Sequence, residues 1–218
     1  MPEKNCSQKD VKNILMEIYH LLLKHFGKQN WWPVVNKKNK RFEIIVGAIL
    51  TQNTSWKNVE KAIKNLYENN AFSRKAILEM PIEKLAEIIK PSGYYNQKAR
   101  KLKEIAKLKG RITRKRLLSV WGIGKETCDA ILLYAYDIPV FVIDAYTQRI
   151  FSRLGFKKLD YDSLQKLFEE NIPKDIEIYK EYHALLDELA KNYCKKIPIC
   201  EKCPISIFCE YGRNNLKK

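Results

Sequence analysis

Apolar residues recur at three- and four-residue intervals along most of this chain. Val11, Ile14, Leu15, Ile18, Leu22 and Phe26 predict an amphipathic helix over Gln8–Phe26, with Ser7 able to cap it and Gly27 placed to end it. Arg41 to Gln52 is almost continuously apolar and predicts a buried helix. The spacing of Trp56, Val59, Ala62, Ile63 and Leu66 predicts an amphipathic one after it. Shorter helical patterns follow over Pro81–Lys90, Asn96–Lys109, Thr113–Val120, Lys125–Tyr136, Asp144–Leu154, Tyr161–Glu170 and Asp175–Tyr193, punctuated by Pro91, Gly93, Gly110, Gly122 and Gly124. No segment sustains the period-two alternation of a half-buried strand. The apolar run Pro139–Ile143 fits a short strand or a buried connection equally well. The pattern therefore predicts an all-α protein of about ten helices.

Composition narrows the setting. In 218 residues, 45% hydrophobic and 11% aromatic, there is enough apolar material for a core, as one domain or as two packed lobes. Lys and Arg number 41 against 25 Asp and Glu, a formal charge of +16 that suits a polyanionic partner such as nucleic acid. A generally lysine-rich proteome would give the same excess, so charge alone does not decide. No apolar run reaches the roughly 20 residues that span a bilayer, and the start Met1-Pro2-Glu3-Lys4-Asn5 lacks signal-peptide layout, so an intracellular, cytoplasmic protein is expected. In that compartment six cysteines are read as metal ligands or buried thiols before disulfides.

The stretch from Leu117 to Lys125 joins two helical patterns through a turn flanked by Gly122 and Gly124. Such glycines allow positive φ and close backbone approach, and they leave amides at the start of the second helix pointing toward one place. An anion suits that place, and a DNA phosphate would be held there without any base being read. A lone Gly-x-Gly is weak evidence. The longer string Val120-Trp121-Gly122-Ile123-Gly124-Lys125-Glu126-Thr127, followed by Asp129-Ala130-Ile131-Leu132, resembles the helix-hairpin-helix element of the endonuclease III-like DNA glycosylases (the HhH-GPD superfamily). The resemblance extends to Val142-Ile143-Asp144, Leu50–Thr54 and Ser92–Ala99, so it spans most of the chain.

In that family an aspartate follows the hairpin at a fixed interval and opens the next helix, which selects Asp144 as the catalytic carboxylate implied by the resemblance. Taken alone it would read as an ordinary helix cap. Breaking an N-glycosidic bond builds positive charge on the sugar, which a carboxylate can stabilise while it orients the attacking water. Members that also nick DNA carry a lysine just past the hairpin, where this chain has Glu126. The adjacent Lys125 is turned by about 100° on a helix and is assigned to phosphate. A monofunctional enzyme leaving an abasic site is expected, with lyase activity weak or absent. The resemblance also implies that Gln52 fills the space left by an extruded base and that Tyr94 is an intercalating wedge. Trp31, Trp32, Asn53, Trp56 and Glu126 are candidates for the base pocket, since flat aromatic surface can stack on an alkylated, positively charged base. Trp31-Trp32-Pro33 together with Ser92–Ala99 looks closest to the branch that removes 3-methyladenine and related alkylated purines.

Cys194, Cys200, Cys203 and Cys209 form C-x5-C-x2-C-x5-C, ligand spacing for a tetrahedral or cubane site. Zinc is one occupant; the resemblance implies a [4Fe-4S] cluster, although the first gap is one residue shorter than the family's usual one. Lys195, Lys196 and Lys202 would then lie on a rigid basic loop. Cys6 is read as a terminal thiol and Cys128 as a packing residue, and His20, His25 and His183 are given no chemical role.

The expectation is a two-lobed all-α, endonuclease III-like protein. One lobe is a six-helix lobe over residues 41–149; the other comprises residues 1–40 and 150–218 and contains the cluster loop. It would act as a monomeric DNA glycosylase in base-excision repair on double-stranded DNA holding a damaged base, bound in the cleft between the lobes. Uracil, mismatched thymine and 8-oxoguanine remain open as substrates. So do a bifunctional lyase, a non-catalytic DNA-binding protein and, last, an iron-sulfur electron carrier.

Overall fold

The computed structural model describes residues 8–156 and 159–215, so Ser7 as a cap and Cys6 as a terminal thiol lie outside the described residues. Within them the chain is helical throughout, with no strand. The α-helices are α1 (Gln8–Phe26), α2 (Lys40–Leu50), α3 (Trp56–Glu68), α4 (Arg74–Glu79), α5 (Ile82–Ile88), α6 (Tyr95–Lys107), α7 (Arg114–Leu118), α8 (Lys125–Ala130), α9 (Ala145–Leu154), α10 (Tyr161–Asn171), α11 (Ile176–Asn192) and α12 (Glu210–Asn215). Pro139–Ile143 is a connection, and its Phe141, Val142 and Ile143 are buried.

The chain divides into two compact units, one running from Trp32 to Ile138 and the other holding everything before and after. These bounds differ from the expected 41–149 because Trp32 packs edge-on against Trp56 and Tyr134, and because α9 packs on α11.

In the unit formed by the chain ends, α11 packs against α1 and α9. Its core includes Leu15, Ile18, Leu22, Phe151, Phe168, Tyr182 and Leu185. Phe141 stacks on Phe168 with centroids 3.9 Å apart, and the buried Tyr182 hydroxyl donates to Leu15 O at 2.8 Å. An aspartate opens each of three helices: the side chains of Asp144, Asp160 and Asp175 accept the amides of Thr147, Ser163 and Ile178. Each such cap contributes about 1 kcal/mol. Gly27 ends α1 as the sequence predicts, with φ +72° and its amide on Leu23 O.

In the Trp32–Ile138 unit, α2 packs against α3, α6 and α8, and this explains its unbroken apolar sequence. Its one buried charge, Glu43, accepts from the amides of Val35 and Asn36 and from the Tyr67 hydroxyl. The single helix expected over Lys125–Tyr136 is instead α8 followed by a π-helical turn, Ile131–Ala135. All five residues of that turn are buried, so no polar stripe marks the change of pitch. The helices α4 and α12 were not expected. Each has six residues and buries a single one, Ile77 and Gly212, too little for an apolar period to register.

Candidate active site

The glycine turn predicted from sequence is a helix-hairpin-helix. α7 ends at Leu118, residues 119–124 turn, and α8 begins at Lys125. A two-pronged ion pair joins its helices: Arg114 Nε and Nη2 reach the carboxylate of fully buried Asp129 at 2.7 and 2.9 Å. Gly122 has φ +81°, and a Cβ there would lie 2.5 Å from Lys101 Cε, so glycine is required on two counts. Gly124 is extended and faces open space. Lys125 and Glu126 are both exposed in the first turn of α8.

Gln52 reaches this hairpin. Its Nε2 donates to Thr127 Oγ1 at 2.8 Å and lies 3.5 Å from Gly122 O, and its Oε1 accepts from Lys101 Nζ at 2.5 Å. Any excursion of Gln52 into DNA would exchange these bonds. Tyr94 stands just before α6, 64% exposed and left-handed (φ +45°, ψ +31°), a rare state for a bulky residue. Asn53 is exposed and also left-handed, at φ +52°. Trp32 is buried and in contact with the Gly47 position, which makes it a core residue; Trp56 is half-buried beside it. A cavity of this unit lined by Lys38, Arg41, Phe42, Arg74 and Tyr136 includes none of the residues singled out from sequence.

In the other unit, Asp144 caps α9. Its Oδ1 accepts the Thr147 amide at 2.6 Å, and its Oδ2 lies 3.8 Å from His183 Nε2. His183, Asp187 and Lys191 follow one another at four-residue spacing on α11, so they share a face. Asp187 pairs with Lys191. Its carboxyl is pushed up by burial and by the neighbouring Asp144 charge, against the downward pull of Lys191 and His183. Trp31 lies over this group, 5.8 Å from the His183 ring and 5.8 Å from Lys191 Nζ. Trp31 and Trp32 are adjacent in sequence and diverge in structure. Sequence reasoning missed Asp187 and Lys191 and gave His183 no role, because each looks like an ordinary position of an amphipathic helix. Their common i, i+4, i+8 register was the available signal.

The four tail cysteines line one small cavity with Arg153, Tyr193 and Gly212. Burial and the neighbouring sulfurs push the Cys203 thiol up to about 11, and Cys200 is raised for the same reasons. Four ionised sulfurs there need positive charge among them. Two donors already aim at sulfur: the Gly212 amide at Cys209 Sγ, 3.3 Å, and Arg153 Nη1 at Cys194 Sγ, 3.2 Å. A Cβ on Gly212 would sit 3.4 Å from Cys209 Cβ, so a larger residue would crowd the thiols. Arg153 also donates to the carbonyls of Lys195 and Lys196, and Arg149 to that of Cys194. Cys128 is buried in α8, as a packing residue would be. Among the described residues no helix is long and apolar enough to cross a membrane.

Comparison with known proteins meets this geometry. The HhH-GPD superfamily base excision DNA repair pattern matches residues 46–174. A protein of Methanocaldococcus jannaschii, provisionally named a DNA repair glycosylase, is 48% identical over 214 residues, 90% of this chain and 96% of that one. The solved 3-methyladenine DNA glycosylase of H. pylori, bound to 1,N6-ethenoadenine, superposes with TM-score 0.72 at 32% identity, covering 87% of this chain and 99% of that one. An endonuclease III–DNA complex superposes with TM-score 0.83 at 22% identity, covering 95% and 99%, a likeness of fold. A hairpin built around Gly122, an aspartate opening the helix after it, and a family pattern running through both over more than half the chain lead to one assignment: the chain belongs to the HhH-GPD superfamily and is a base excision repair DNA glycosylase.

Proposed function

We propose that the chain is a monofunctional glycosylase that hydrolyses the N-glycosidic bond of an alkylated purine such as 3-methyladenine and leaves an abasic site. The observation that carries the reading is the placement of Asp144, whose Oδ1 is committed to the α9 cap and whose Oδ2 faces His183. A carboxylate held this way keeps its orientation while charge develops on the sugar beside it, and it can orient or deprotonate the attacking water. Glu126, exposed where lyases of the family carry lysine, supports hydrolysis without strand cleavage. Likeness to the H. pylori enzyme supports an alkylated purine as the base. Trp31, placed beside Lys191 and His183, is the aromatic surface best suited to stack on it. Trp32, Trp56, Asn53 and Glu126 are our further candidates for contact with the base.

In this reading the hairpin amides around Gly122 and Gly124 hold a phosphate with Lys125, while Gln52 and Tyr94 occupy the gap left by the extruded base. A monomer is taken to suffice. The four cysteines fit a [4Fe-4S] cluster. They surround a cavity, and two N–H donors point at their sulfurs. When bound, the cluster supplies charge that holds four thiolates together. Arg149 and Arg153 then tie the basic loop Lys195–Lys196 to α9.

The test is single-turnover base release from duplexes containing 3-methyladenine, 1,N6-ethenoadenine, uracil, mismatched thymine or 8-oxoguanine, each scored with and without hot alkali. Breaks that need alkali and appear only with alkylated purines are expected. Release of another base would overturn the substrate assignment, breaks without alkali the monofunctional one, and no release from any duplex the catalytic reading.

A further inference from the structure

Beneath Gln52 and Tyr94 lies a charge that the proposed reaction does not use. Lys98, on α6, is 1% exposed, and taking an ammonium out of water is strongly unfavourable unless its donors are satisfied. Its Nζ donates to Leu50 O at 2.8 Å and to Ser92 O at 2.6 Å. Leu50 is the last residue of α2, and Ser92 is the last residue of the 3-10 turn Lys90–Ser92. One cation therefore caps the carbonyl ends of two helical segments, where it is electrostatically favoured.

Two residues after Leu50 comes Gln52, and two residues after Ser92 comes Tyr94. Beyond each tied carbonyl the backbone enters the left-handed region at a residue other than glycine, Asn53 at φ +52° and Tyr94 at φ +45°. Such conformations are unfavourable for side-chain-bearing residues and persist where the surroundings over-determine them. Lys101, one turn further along α6, continues the arrangement, since its Nζ holds Gln52 Oε1 and its methylenes pack under Gly122. The same helix thus fastens the Gln52 loop, the Tyr94 turn and the hairpin.

We propose that Lys98 is a positioning residue for base extrusion: it locks the Gln52 loop and the Tyr94 turn into one rigid edge, so that both enter the duplex together. The proposal rests on the assignment of Gln52 and Tyr94 to the gap. It concerns the step before bond cleavage, so Lys98 touches neither the base nor the sugar.

The experiment uses a duplex carrying a tetrahydrofuran abasic analogue opposite 2-aminopurine, whose fluorescence rises when it is unstacked, and needs no knowledge of the natural lesion. Wild type should bind and raise the fluorescence. Lys98→Met should bind within about threefold of wild type, because the hairpin grip is untouched, yet reach less than about half the plateau at saturation. In a Gln52→Ala, Tyr94→Ala background the same substitution should change the plateau no further, as for groups acting as one unit. If Lys98→Met does not fold, Lys98→Gln, which keeps a donor, is read in the same way. A wild-type rise that the Lys98 variant matches would overturn the role of Lys98 alone. A wild type that binds with no rise would overturn the gap assignment and the proposal together.

Discussion

Asp144 gives its two oxygens to different partners, Oδ1 to the Thr147 amide at 2.6 Å and Oδ2 toward His183 Nε2 at 3.8 Å. Asparagine can keep the first contact but carries no charge. Asp144→Asn should therefore lower single-turnover base release by at least about 100-fold, with an unchanged melting temperature and salt-sensitive DNA binding. Asp144→Ala should lose about 1 kcal/mol of stability as well, the value of the cap. Surviving activity in the asparagine variant would remove Asp144 from the reaction.

Glu126 occupies the first turn of α8 and is exposed. Borohydride added during turnover should trap no covalent protein–DNA adduct, because no amine stands at this position to form a Schiff base. A trapped adduct on a denaturing gel would show that another lysine does this work.

The two hairpin glycines should answer alanine differently. Gly122→Ala places a side chain at φ +81° and against Lys101, and a loss of at least about 1 kcal/mol in denaturant unfolding is expected. Gly124→Ala meets open space, so its stability should stay within about 0.5 kcal/mol. If a phosphate sits against Gly124, DNA affinity in this second variant should nonetheless fall. Equal affinity would move the phosphate elsewhere.

Iron analysis of anaerobically purified protein should give close to four irons per chain and broad visible absorbance, as for a cubane on four cysteines. Cys203→Ala should abolish both signals. One zinc per chain and no visible absorbance would overturn the cluster.

Lys98 carries a pH signature in stability. Burial, aided by the Lys101 charge, pulls its ammonium down to about 8. Between pH 8 and its unfolded value the unfolded chain binds more protons than the folded one, so stability rises with pH through that window and is lost as pH falls toward 8. The gap between wild type and Lys98→Met should therefore shift in favour of wild type from pH 8 to 10, by an amount of order 1–3 kcal/mol. A pH-independent gap would mean that Lys98 titrates as in the unfolded chain.

Long amphipathic helices were legible in the sequence to within a residue or two, because α1, α3 and α11 each bury one face of a regular period. The π turn at Ile131–Ala135 was not, since a segment buried all round has no face to read. Among the candidate residues, the Gly122 turn announced itself through local backbone demands. The partners of Asp144 and Gln52 did not. His183 and Lys101 are separated from them by 39 and 49 residues, and nothing local distinguishes either from a surface or packing position. Lys98 shows the same limit, since a lysine in a basic helix reads as solvated until the fold buries it.

α9 follows its cap Asp144 and holds the cysteine loop through Arg149, midway along it, and Arg153, near its other end. Ten residues of helix make a spacer of about 15 Å. Inserting or deleting one residue within it would shift the carboxylate by about 1.5 Å and swing it by about 100° relative to the loop. Ala145–Leu154 should therefore tolerate many substitutions on its outer face but no change in length, and homologues that diverge freely elsewhere should keep this interval free of gaps.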